Sequence, residues 1–147
     1  MKKQAYTMIA MIVLVGSMAV AAQAQTSGRT QLIAHIPFQF NVGKTALPAG
    51  EYSVRQVNRN SDQAVLQLRS KDRSTGALVQ VDSVIGKAQE VAKLTFRRYG
   101  NKYFFAQAWI DGDNTGMQAP KSKAERAAES ELAGLQPKTE TVALRAR

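Results

Sequence analysis

Between Thr30 and Val57 apolar and polar positions alternate over the longest stretch of the chain. Leu32, Ala34, Ile36, Phe38, Phe40 and Val42 fall on even positions and Gln31, His35, Gln39 and Asn41 fall between them. That period of two predicts a strand with one buried face. Pro37 has no N–H to give to a ladder, so this strand should lie at a sheet edge or break into two short pieces there. Leu47-Pro48-Ala49-Gly50 supplies a turn, after which Tyr52 and Val54 resume the alternation.

Further on, Ala64, Leu66 and Leu68 share one face of a second run, and the polar cluster Ser70 to Gly76 reads as a loop. Ala77, Val79 and Val81 alternate with Gln80 and Asp82, while Gly86 to Val91 is too thin in apolar residues to assign. Lys93 to Ile110 predicts a hairpin about the two-residue turn Gly100-Asn101. Pairing Tyr99 with Lys102 sets Arg98 against Tyr103, Phe96 against Phe105 and Leu94 against Gln107. Tyr103, Phe105 and Trp109 then share a face with Leu94 and Phe96, and Phe104, Ala106, Ala108 and Ile110 form a second apolar face. A strand apolar on both sides is covered from both directions.

The expected cover is a helix. Ser122 to Glu125 is a capping-box sequence with Pro120 upstream, and Gly134 and Pro137 mark the end, so a helix is expected over about 122–135. Its apolar stripe would be Ala124, Ala127, Ala128, Leu132 and Leu135, with Glu125, Arg126, Glu129 and Glu131 facing water. Residues 137–147 read as a flexible tail whose weak alternation through Val142 and Leu144 could add an edge strand. The pattern as a whole predicts a mainly β fold: a small antiparallel β-sandwich or barrel-like sheet with one C-terminal α-helix, in a single domain over residues 25–136.

The first residues follow a different rule. Lys2 and Lys3, the apolar run Met8 to Ala22 and the small-x-small triplet Ala22-Gln23-Ala24 make residues 1–24 a cleavable signal peptide of the general secretory type. An uncleaved anchor would need an apolar run of roughly 18 residues or more. Export to the periplasm or beyond is therefore expected, with no transmembrane span after cleavage. The chain has no cysteine, which excludes disulfides, thiol chemistry and cysteine-ligated metal.

Cleavage leaves 18 basic and 11 acidic side chains. The surplus is concentrated between Arg29 and Lys102, where 12 basic residues face 5 acidic ones; the remainder carries 6 of each. Arg97 and Arg98 lie near Tyr99 and Tyr103, and with Lys93 and Lys102 they form a candidate surface for an anionic partner. For an exported protein that partner is an anionic envelope polymer, a lipid surface or a protein rather than nucleic acid. A cation–π contact of Arg98 with Tyr103 would serve structure equally well.

Other chemistry is sparse. Asp111, Asp113 and Thr115 with Gly116 resemble the start of a calcium loop, but the twelfth position, where a bidentate glutamate belongs, is Ser122. Asp, Asn and Gly are also ordinary turn residues. His35 is the only histidine and falls on the polar face of the first strand beside Pro37, so it is expected to be exposed or rim-packed rather than a triad member or a zinc ligand. No cofactor is expected. Carboxylates brought together from distant strands would allow a hydrolase, a reading set below a non-catalytic one because most acids fall in loops or on the helix.

Several segments carry a resemblance. Ile36-Pro37-Phe38, Val42-Gly43, Leu47 to Tyr52 with Val54, Arg98-Tyr99-Gly100 with Tyr103-Phe104 and Trp109, and Pro120-Lys121-Ser122 with Ala124-Glu125 together resemble a family of small uncharacterised exported proteins of soil acidobacteria. The resemblance spans nearly all of the expected mature chain. It implies an exported, mostly β protein with a C-terminal helical segment, and it implies no activity or site residue. Two functional classes follow: a non-catalytic module in the envelope or outside the cell, binding or structural in role, or a small carrier with an apolar cavity lined by Phe38, Phe40, Phe105 and Trp109.

Overall fold

The computed structural model describes residues 31–58, 63–134 and 136–146; the expected signal peptide and Leu135 lie outside them. In chain order the elements are β1 (Leu32–Ile36), β2 (Phe40–Val42), β3 (Thr45–Leu47), β4 (Gly50–Gln56), β5 (Ala64–Ser70), β6 (Gly76–Ile85), β7 (Lys93–Tyr99), β8 (Lys102–Trp109), β9 (Thr115–Gln118), α1 (Lys123–Glu131) and β10 (Lys138–Ala146). Eight strands close into a barrel in the ring order β1, β4, β5, β6, β9, β8, β7, β10 and back to β1. Every pairing in that ring is antiparallel. Of the two architectures the alternation allowed, the fold is the barrel. Closure removes free sheet edges, the exposed ladders through which β proteins associate.

The first strand breaks at Pro37, as its missing N–H requires. β1 ends at Ile36 with both of its sides paired, against β4 and β10, so it is central and not an edge. The chain then leaves the wall, and β2 and β3 form a small hairpin around Gly43, which takes φ 58°. β9 is short and joins only the last residues of β6 to the last residues of β8. The β2–β3 hairpin fills the remaining gap, touching β6 and pairing in parallel with β8 at Asn41 and Phe104. Asn41 pins it there by donating its amide to the Tyr103 carbonyl at 3.2 Å.

Alternation fills the interior. Ala34 and Ile36, Tyr52 and Val54, Leu66 and Leu68, and Val79 and Val81 all point into one buried cluster. Aromatic rings from both halves of the chain meet within it. Phe40 packs edge-on against Tyr52 at 5.2 Å and against Phe96 at 5.4 Å, and Phe96 packs edge-on against Phe105 at 6.1 Å. Phe38 closes one side by stacking on Tyr103 at 3.9 Å. An eight-stranded barrel is about wide enough for side chains to fill, and here they do. Tyr52 satisfies its hydroxyl by donating to the Pro48 carbonyl at 2.7 Å.

The β7–β8 hairpin follows the expected pairing only in part. Tyr99 opposes Lys102, Arg98 opposes Tyr103 and Phe96 opposes Phe105, but beyond Phe96 the ladder slips, so that Thr95 meets Gln107 and Leu94 meets Ala108. The extra residue, Ala106, is a β-bulge that reverses which side chains face inward. Ala108 therefore joins the core and Trp109 turns to the outside, opposite Gly116 of β9. A uniform alternation had placed Trp109 inside with Phe105.

Two corrections concern the C-terminal part. Between the turn over residues 111–114 and the helix the alternation predicts no element, and the structure has a short strand there, β9 at Thr115–Gln118. Residues 138–146 are no flexible tail or edge: β10 lies between β1 and β7 and completes the ring. The helix begins where its cap predicted, with the Ser122 side chain accepting from the Glu125 N–H at 3.1 Å, and it ends four residues early, at Glu131. Its buried face is Glu125 and Ala128 with half-buried Leu132; Ala124 and Ala127 are exposed. Ala128 and Leu132 cover Tyr99 and Phe104 on the outer side of the wall, forming a second, smaller apolar cluster.

Candidate functional site

The cations singled out on β7 and β8 are drawn into the protein's own contacts. Arg97 forms a two-pronged ion pair with Glu125, through Nε to Oε1 and through Nη2 to Oε2 at 3.1 Å, and Nη2 also reaches the Ala119 carbonyl at 3.4 Å. Glu125 is only 1% exposed and also accepts from the Tyr99 hydroxyl at 3.1 Å. Burial, then the Glu125 charge, pushes the Tyr99 hydroxyl up to about 12. Arg98 lies over the Tyr103 ring at 5.3 Å and pairs with Glu140 at 3.2 Å; Lys102 pairs with Glu131 at 3.2 Å. Of the four, only Lys93 has no acidic partner among the described residues. The capping-box glutamate expected to face water is thus the buried anchor of the helix.

The Asp111–Thr115 segment is occupied by turn chemistry. Asp113 accepts from the Thr115 N–H at 2.8 Å, Gly112 takes φ 74°, and the Gly112 N–H donates to the Gln89 carbonyl at 2.8 Å. Among the described residues no three or more His, Asp or Glu side chains gather as metal ligands would. His35 stands exposed on β1 opposite Glu51. Trp109, 7% exposed, lies on the outer wall against two glycines: a Cβ on Gly116 would come within 2.8 Å of its ring, and one on Gly86 within 2.6 Å. The four residues named for a cavity are therefore not assembled. Phe38, Phe40 and Phe105 pack into the interior while Trp109 is outside it.

A different surface collects charge. On β10, β1, β4 and β5 the outward positions pair as Arg145 with Ile33, Ile33 with Ser53, Ser53 with Arg69, and Arg55 with Gln67. Arg55, Arg69, Lys71, Arg73 and Arg145 are all exposed on this wall and its adjoining turn. Gln67 accepts from Arg55 Nε at 2.6 Å and holds its guanidinium outward. Lys71 takes up Glu51 at 3.3 Å. Asp72 is turned into its own loop, where hydrogen bonds from Ser70 and Ser74 hold its carboxyl down at about 2. That same knot seats Arg73 at φ 61° with its N–H on the Ser70 carbonyl at 2.9 Å. Alternation along β4 and β5 showed that Arg55 and Arg69 face outward. Only the pairing sets them side by side, and only β10 brings in Arg145.

Fold and surface define a closed eight-stranded antiparallel barrel with a packed interior, a helix strapped to its outside and a basic strip along one wall. Comparison of the chain with known family models, with characterised proteins and with solved structures finds no match.

Proposed function

We propose that the chain is an exported, non-catalytic barrel module that binds through its outer wall, in the cell envelope or outside the cell. The observation that carries this reading is the filled interior: Phe40, Tyr52, Phe96, Leu66, Leu68 and Leu94 are all essentially inaccessible and the rings interlock. A carrier needs an apolar space of several hundred Å³, so the packed lumen counts against it. The acids support the non-catalytic part. Glu51, Glu125, Glu129, Glu131 and Glu140 are each paired with a cation of the same chain, and Asp72 and Asp113 build turns. The lysine-led apolar N-terminus and the resemblance to exported acidobacterial proteins support export.

Expression of the full chain in a bacterial host, followed by fractionation and intact mass, tests the location: the expected product is exported and begins at Gln25, and an unprocessed cytoplasmic product would reject it. Titration of the purified protein with an uncharged fluorescent fatty alcohol tests the outer-wall reading. No saturable uptake is expected, and one-to-one uptake would restore the carrier.

A further inference from the structure

We infer that the basic strip across β10, β1, β4 and β5 is a binding surface for a linear acidic polysaccharide, an inference that rests on the outer-wall reading above. Most of the strip, Arg55, Arg69, Lys71 and Arg73 with Gln31, Ser53 and Gln67, lines one broad surface cleft of about 860 Å³, and Arg145 extends it across β1. Arg55 and Arg69 are diagonal neighbours across the β4–β5 pair, a separation of roughly 7–8 Å. Arg145 lies three strand steps from Arg69 through β1 and β4, which at about 4.8 Å a step is roughly 14 Å. Arg55 and Arg69 are close enough to share one anionic group, but Arg145 stands apart from them, so a chain with repeated charges can meet all three where a single phosphate or carboxylate meets a pair.

Local competition for the strip is weak. Its two acids are already committed, Glu51 to Lys71 and Asp72 to the hydroxyls of its turn, so only Lys71 is neutralised from within, and Arg55, Arg69, Arg73 and Arg145 have no ion-pair partner among the described residues. Between them stand Gln31, Ser53 and Gln67, whose amide and hydroxyl groups suit a hydroxyl-rich polymer. Other polyanions fit less well. Nucleic acid without sequence preference is gripped by aromatic stacking platforms, and this wall presents no Phe, Tyr or Trp among its outward described positions, only the single imidazole of His35. Docking on an anionic membrane needs apolar side chains that enter the interface. Of the exposed large apolar side chains among the described residues, Ile85, Val91 and Ile110 sit near β9, four strands from β1 in either direction round the ring, and only Val57, just after β4, and Leu78, opposite Gln67, adjoin the strip.

The test uses protein purified after export of the full chain. Polygalacturonate, as the probe, is titrated by calorimetry at low and high salt, beside neutral dextran, phosphatidylglycerol vesicles and oligo-dT. Binding of polygalacturonate that weakens with salt is expected, with none to dextran, since exposed charges are screened within about 10 Å at 0.1 M salt. The variant R55Q/R69Q/R73Q should lose about tenfold or more in affinity, and the charge-matched control K44Q/K87Q/R126Q should lose less than about threefold. All six positions are exposed, and unchanged thermal melts would confirm that both variants fold. An equal loss in both variants would overturn the inference by reducing it to net charge. Binding to vesicles or oligo-dT in preference to the polysaccharide would overturn it in favour of those partners. Either result leaves the outer-wall reading intact, which fails separately if the fatty alcohol is taken up.

Discussion

Glu125 is the residue on which the sequence and the fold most differ. Three residues after the cap Ser122, it was expected to face water in a capping box, yet it is buried under Arg97 and Tyr99. Nothing in the local pattern marks it, because its partners lie 28 and 26 positions away. Removing one member of a buried pair leaves the other without compensation, so Glu125→Ala should cost about 3 kcal/mol in denaturant melts. A loss under about 0.5 kcal/mol would place the pair with ordinary surface contacts. Tyr99 gives a pH signature of the same network. In the folded protein it keeps its proton up to about 12, against 10.0 ordinarily. The folded state therefore holds more protons between those values, and the stability the neutral hydroxyl contributes is complete below about pH 10 and lost as pH rises toward 12. Denaturant midpoints measured from about pH 9 to 12 should fall more steeply for the native protein than for Tyr99→Phe. Trp109 makes a third case. Since Gly116 leaves no room for a Cβ beneath its ring, Gly116→Ala should cost about 1–3 kcal/mol through overpacking. In a Trp109→Leu background that penalty should shrink, and a double-mutant cycle by thermal melts would show additivity if the two do not touch.

At the scale of elements, those set by local chemistry were legible. The Gly100-Asn101 turn, the break at Pro37 and the Ser122 cap each follow from what one or two residues can do with their own backbone. Elements whose pattern is weak were missed or undervalued: Thr45–Leu47 and Thr115–Gln118 are too short for a period to show. In Lys138–Ala146 the inward-facing residues Val142 and Leu144 are outnumbered by polar ones. Yet β10 is paired on both sides, with β1 and with β7. Truncation after Pro137 should therefore open the barrel and abolish cooperative thermal unfolding. Retention of a sharp transition would show that β10 is dispensable. In the intact protein, amide exchange at Val142 and Leu144 should be slow, as for a central strand.

At the scale of the molecule, closure depends on the two ends of the described chain meeting, Leu32 against Ala146 and Ala34 against Leu144. The ring order departs from sequence order at β9, β8 and β7, so the link from β6 to β7 passes over two strands and the link from β9 to β10 carries the helix across the outside. That arrangement explains how one mainly β pattern yields both a packed interior and a covered outer face: Phe96 and Phe105 point in, Tyr99 and Phe104 point out beneath α1. It also explains why the basic strip was not legible. Its residues come from β4, β5, the following turn and β10, and the cations that adjoin in sequence, Arg97 and Arg98, are the ones the fold uses up.

By itself the sequence determined which side of β1, β4, β5 and β6 faces inward, where the main turns fall and where the helix starts. Side-chain alternation, an absent proline N–H and a capping hydroxyl act within a few residues, and no distant partner can easily reverse them. Tertiary structure alone decided that the sheet closes as a barrel, that a bulge at Ala106 turns Trp109 outward, that Glu125 is buried and that Arg55, Arg69 and Arg145 share a wall. Each of those depends on strand pairing between segments far apart in the chain, where a one-residue slip changes every neighbour.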